Sequence, residues 1–88
     1  MKTIKDREYS FNHTKKRLKE RYGIDITIDD YNYLCTKVIT NDDITLIMME
    51  KQDNDTQYTY DLDFKYRGII RVVWSGSRQC ITTVLERK

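Results

Sequence analysis

Cysteine and histidine are scarce in this chain. Cys35 and Cys80 lie 45 positions apart, no CxxC pair occurs, and His13 is the only histidine. A structural zinc takes four ligands that usually cluster in sequence, so this spacing argues against one, and neither a metal nor another cofactor is expected. A Cys35–Cys80 disulfide would need an oxidising compartment that nothing in the sequence supports; the expectation is two small buried thiols. Long apolar runs are missing as well. No stretch approaches the roughly 18 residues of a membrane span, and the start, MKTIKDREYS, has no apolar core of signal-peptide length. A soluble, cytoplasmic protein is expected. Alanine and proline are absent and glycine occurs three times, whereas Ile, Asp, Thr and Lys are heavily used. That bias suits an AT-rich coding sequence better than any structural demand and points to a phage or mobile-element origin.

Eighty-eight residues, 39% of them apolar, leave room for one domain with a modest core. A cofactor domain joined to a substrate domain does not fit, which excludes dinucleotide enzymes and multidomain machines. Lys and Arg number 16 and Asp and Glu 14, a net charge of +2. The charges are segregated: residues 1–22 carry eight basic and three acidic side chains, residues 23–63 two and ten, and residues 64–88 six and one. If the two basic ends meet in space, they form a surface that attracts a polyanion while the acidic middle faces elsewhere.

The hydrophobic period divides the chain in two. Phe11, Leu18 and Tyr22 fall on one face of a helix over 11–22, with Ser10 as its N-cap and Gly23 as its stop. His13, Arg17 and Arg21, spaced by four, form a cationic stripe beside that face. Thr27 and Asp30 read as a capping box for a second helix over 28–39, which ends at Thr40, Asn41, Asp42 and Asp43. The period then falls to two. Residues 44–50 (ITLIMME) read as a well-buried strand. Residues 57–66 alternate, with Tyr58, Tyr60, Leu62, Phe64 and Tyr66 on an apolar core face. Residues 69–75 and 80–87 supply two more strands, with Trp74 in the core, and the short links predict an antiparallel meander. The fold class is α+β: one domain over 1–88, with two N-terminal helices (10–40) packed on a four-stranded antiparallel sheet (43–88). Residues 1–9 are expected to be an arm or an extra short strand.

Two stretches carry a resemblance: FNHTKKRLKERYGI at 11–24 and IIRVVWSGSRQCITTVLER at 69–87. They resemble the opening helix and the closing hairpin of small ribonuclease-toxin-like domains of the barnase, colicin and RelE superfamily, over roughly a third of the chain. The resemblance implies metal-independent RNA cleavage, with helix cations and sheet polar residues converging on a phosphate. His13 and Arg17 would match the helix positions, Thr82 or Thr83 the last strand, and Arg71 a further cation; Lys16, Arg21, Arg78 and Thr83 would hold RNA. No second histidine completes an acid/base pair.

Chemistry sets the same requirement. Cleavage through the 2′-hydroxyl needs a base, an acid for the leaving 5′-oxygen and cations for the charged phosphorane. Histidine is the side chain that ordinarily titrates near neutrality, so His13 is the candidate for one of the two proton transfers. Its partner is open among Glu20, Glu50, a tyrosine and Lys16, while Arg17, Arg21 and Arg71 have the guanidinium geometry for phosphate. Two other classes stand beside this one: a phage-type module that binds and inhibits a host protein without catalysis, and a subunit that self-associates through an exposed sheet edge.

Overall fold

Thr27 starts the second helix as its sequence promises. Its hydroxyl accepts from the Asp30 backbone N–H at 3.2 Å, and the Asp30 carboxylate accepts from the Thr27 N–H at 3.0 Å, closing the capping box. Gly23 ends the first helix with a positive φ of 68°, a conformation in which glycine alone carries no Cβ penalty. The computed structural model describes residues 4–87, apart from the side chains of residues 4–6 and 66. Its elements run α1 (Ile4–Tyr22), α2 (Ile28–Thr40), β1 (Ile44–Gln52), β2 (Asp55–Asp63), β3 (Ile69–Ser75) and β4 (Cys80–Leu85). A single 3₁₀ turn at Lys65–Arg67 joins β2 to β3. The sheet is an antiparallel meander in the order β1-β2-β3-β4. The expected α+β arrangement is therefore observed.

Both helices lie on one face. Leu18, Tyr31, Leu34, Ile70, Val72, Ile81 and Val84 are fully buried between them and the sheet, joined by Leu62, Phe64 and Trp74. Burying each such side chain contributes roughly 1.5–3 kcal/mol. Cys35 and Cys80 are buried free thiols in the same cluster.

Six details differ from the sequence reading. Residues 4–9 are helical, so α1 starts well before residue 11; residues 1–3 of the expected arm lie outside the described residues. Ser10 does not cap a helix: it sits inside one, 1% exposed, its Oγ without a hydrogen-bond partner among the described residues. The extra turns are held by α2, because the Arg7 guanidinium donates to Asn32 at 2.9 Å and covers the Tyr31 ring at 5.3 Å. β1 is not a buried strand but an exposed sheet edge, since α1 and α2 pack toward β4 at the far side. Tyr58 and Tyr60 are half-buried and stack on one another at 6.2 Å beside the core. β2 stops at Asp63, and Lys65, at a φ of 46°, turns the chain; the Tyr66 side chain lies outside the described residues. The last strand also ends early, at Leu85.

The Tyr31 hydroxyl donates to the Ile81 carbonyl at 2.6 Å and is the short bond between α2 and β4. Tyr31→Phe should lower the unfolding free energy by about 1–2 kcal/mol, because the carbonyl then keeps only the long Thr14 contact. Tyr31→Ala should cost about 3–5 kcal/mol through the cavity it leaves. Urea denaturation of the two variants beside the parent checks both figures.

A candidate catalytic cleft on the open sheet face

The face of the sheet away from the helices carries a cleft of about 430 Å³ lined by both polar and apolar side chains. Its floor is a cross-strand row in register, Met48 on β1, Thr59 on β2, Val73 on β3 and Thr83 on β4. Glu50 and Gln57, also direct partners, form a second row. His13 and Tyr9 of α1 and Arg78 of the β3–β4 turn complete the rim, with Thr82 beside Thr83.

Two bulges create this lining. Thr82 is an extra residue in β4, since Thr83 pairs with Val73 while Ile81 pairs with Trp74. Neighbouring strand residues ordinarily point to opposite faces, and the bulge lets Thr82 and Thr83 line the same cleft. Ile47 is the extra residue in β1, where Leu46 pairs with Tyr60 and Met48 with Thr59. Strict alternation from the half-buried Ile44 would send Met48 and Glu50 to the helix side; the bulge sends both to the open side.

Of the residues named from sequence, His13, Arg78, Thr82 and Thr83 meet in this cleft. Arg17, Lys16, Arg21 and Arg71 do not line it. Arg17 lies one turn beyond His13 and pairs with Glu20 at 3.0 Å, and Arg21 pairs with Glu86 at 3.6 Å. Lys16 is exposed on α1. Arg71 is engaged by its register partner Asp61 in a two-pronged pair at 2.8 and 3.1 Å, and Arg87 approaches the same carboxylate at 3.4 Å. The hydrogen bonds from Arg71, its charge and that of Arg87 hold the Asp61 carboxyl below its ordinary range despite partial burial. Arg78, by contrast, makes no ion pair among the described residues. Its turn is pinned from β2. Asp55 accepts from the Ser75 hydroxyl at 2.7 Å and from the Ser77 N–H at 2.8 Å. Burial raises the Asp55 pKa, but these hydrogen bonds outweigh it and leave the carboxyl below its usual value.

Of the open partners for His13, Glu50 and one tyrosine, Tyr9, line the cleft, whereas Glu20 and Lys16 do not. Tyr9 was not legible as a site residue. It lies one helical turn before His13, 66% exposed, with its ring nearly parallel to the imidazole at a centroid distance of 6.3 Å. Extending α1 by two turns is what brings it there. Three interstrand steps of about 4.8 Å separate β1 from β4, so Glu50 and His13 enter the cleft from its two sides. Among the described residues no group of three His, Cys, Asp or Glu side chains could hold a metal ion.

Because the folded-state pKa of Asp61 lies below its unfolded value, its pairing stabilises the fold above the unfolded pKa and is lost as pH falls through the folded one. Stability should therefore drop on acidification below about pH 4, and Asp61→Asn should flatten that part of the profile. Urea midpoints measured between neutral and acid pH test this.

Compared with protein families, with curated proteins and with solved structures, the chain finds no match.

Proposed function

We propose that the protein binds RNA and cleaves it without a metal ion in the cleft of the open sheet face. The observation that carries this reading is the convergence of His13, Glu50, Arg78, Thr82 and Thr83 on one cleft from three separate parts of the chain. An ionised carboxylate is an acceptor only, and an imidazolium is a donor. Glu50 takes the proton of the ribose 2′-hydroxyl as that oxygen forms its bond to phosphorus. His13 donates a proton to the 5′-oxygen as its bond to phosphorus breaks. The products are a 2′,3′-cyclic phosphate and a free 5′-hydroxyl. Arg78 supplies the cation for the phosphorane, and the Thr82 and Thr83 hydroxyls donate to its non-bridging oxygens.

The arrangement assigns different tasks to the cations named from sequence. Among the described residues, Arg78 alone of the named lysines and arginines combines a place in the cleft with freedom from a carboxylate. Lys16, exposed farther along α1, gives the strand of RNA a basic path leading away from the cleft.

Incubation with total RNA in EDTA, read on a denaturing gel, tests the proposal. Wild type should cleave and leave cyclic phosphate ends. His13→Ala and Glu50→Gln, each checked for folding by circular dichroism, should each lose about 100-fold or more in rate. Arg78→Ala should lower both the rate and the salt-sensitivity of binding. RNA left intact by wild type overturns the reading, and cleavage unchanged in His13→Ala removes the cleft from it.

A further inference from the structure

Among the described residues, no strand lies beside the outward edge of β1. Along it Leu46, Ile47, Met48 and Met49 are 53%, 44%, 54% and 60% exposed, four consecutive large apolar side chains in water. Single exposed apolar residues need no explanation, but a contiguous run of them marks an interface. Edge strands are ordinarily blunted by proline, by lysine or by an inward-pointing charge. Residues 44–49 contain none of these; Lys51 lies beyond the apolar run, near the end of the strand, and the bulge at Ile47 interrupts the run itself. The opposite edge, β4, is covered by α1.

We propose that this edge pairs with the same edge of a second copy, antiparallel and two-fold, with the axis between Ile47 and Met48. The bulge dictates the register. Before it, Ile44 and Leu46 point to the helix side and Thr45 to the open side; after it, Met49 and Lys51 point to the helix side and Met48 and Glu50 to the open side. Positions 46 and 49 would lie on opposite faces of a regular strand, and here they share one. Leu46 can therefore stand opposite the partner's Met49, and Ile47 opposite the partner's Met48, with the pleats of both strands in phase. The four exposed apolar residues are then covered by the same four of the copy. That self-complementarity is what selects a second copy as the occupant: each of the four exposed apolar residues meets one of the same four.

Within the paired stretch no like charges meet: Lys51 falls opposite the partner's Ile44 and Glu50 opposite the partner's Thr45. Salt therefore changes the dimer little, in contrast to its effect on binding to a polyanion. Pairing the eight residues 44–51 of each strand buries roughly 1,000 Å² in total, at the lower limit for specific interfaces, so the dimer is weak and exchanges rapidly. It joins two sheets into one of eight strands and sets Glu50 opposite the partner's Thr45 on a shared open face.

Sedimentation equilibrium of the full chain, from low micromolar to near-millimolar protein and at low and high sodium chloride, tests the proposal. Wild type should pass from monomer to dimer with concentration, and to a similar extent at both salts. Leu46→Lys, an exposed change outside the cleft, should weaken the dimer by at least about tenfold. Leu46→Lys/Met49→Glu should restore it, because the register sets each new cation opposite a new carboxylate twice per dimer. Circular dichroism confirms that both variants fold. A monomer at every concentration and salt, assemblies larger than a dimer, a dimer indifferent to Leu46→Lys, or a double variant no better than the single one would each overturn the proposal.

Discussion

The Ile81 carbonyl accepts from two hydroxyls, Tyr31 at 2.6 Å and Thr14 at 3.4 Å, and the Leu85 carbonyl accepts from Tyr22 at 2.6 Å. Both carbonyls belong to β4, the last strand of the sheet, whose outer edge would otherwise present unpaired backbone groups. Tyr22 also accepts from the Arg71 N–H at 3.1 Å, so one hydroxyl bridges β3 and β4 where their pairing ends. Tyr31 and Thr14, one from each helix, thus hold β4, and Tyr22 ties its end to β3. The rest of the architecture follows from that commitment. With α1 laid along β4, His13 and Tyr9 come over the rim of the open face. With both helices committed to the β4 side, β1 is left bare.

The cleft depends on two small irregularities rather than on any single element. An extra residue in β4 brings two threonines to one face, and an extra residue in β1 turns Glu50 from the helix side to the open side. A regular four-stranded sheet of the same composition would have separated Glu50 from His13 by the thickness of the sheet. Bulges ordinarily re-aim side chains in this way. The β1 bulge has a second effect, since the same offset makes the exposed edge match a copy of itself.

Charge segregation along the sequence becomes pairing in space. The basic helix α1 and the basic hairpin meet, because α1 packs on β4. Yet much of that charge is spent locally: Lys15 on Asp25, Arg17 on Glu20, Arg21 on Glu86, and Arg71 with Arg87 on Asp61. Exposed pairs of this kind contribute little to stability, about 0–1 kcal/mol each. Their larger effect is to decide which cations remain available to a polyanion, and Arg78 is the one left in the cleft.

Local signals were sufficient wherever the outcome depends on neighbours in sequence. The capping box at Thr27, the stop at Gly23, the change of period near residue 43 and the tight turn after Ser75 fix the identity and order of the elements, because each rests on hydrogen bonds or backbone angles within a few residues. His13, Arg78, Thr82 and Thr83 were likewise legible as polar or cationic residues on the helix and hairpin. What a residue faces depends on contacts far along the chain. ITLIMME is as apolar as a central strand, and only the order of strands makes it an edge. Arg71 has the chemistry of a phosphate ligand, and only its register opposite Asp61 engages it elsewhere. Ser10 has the chemistry of a cap, and only the docking of Arg7 on Asn32 and Tyr31 carries the helix past it. Composition and period thus determined the elements of this protein, whereas the tertiary pairing of strands, with its two one-residue offsets, decided which side chains share a cleft.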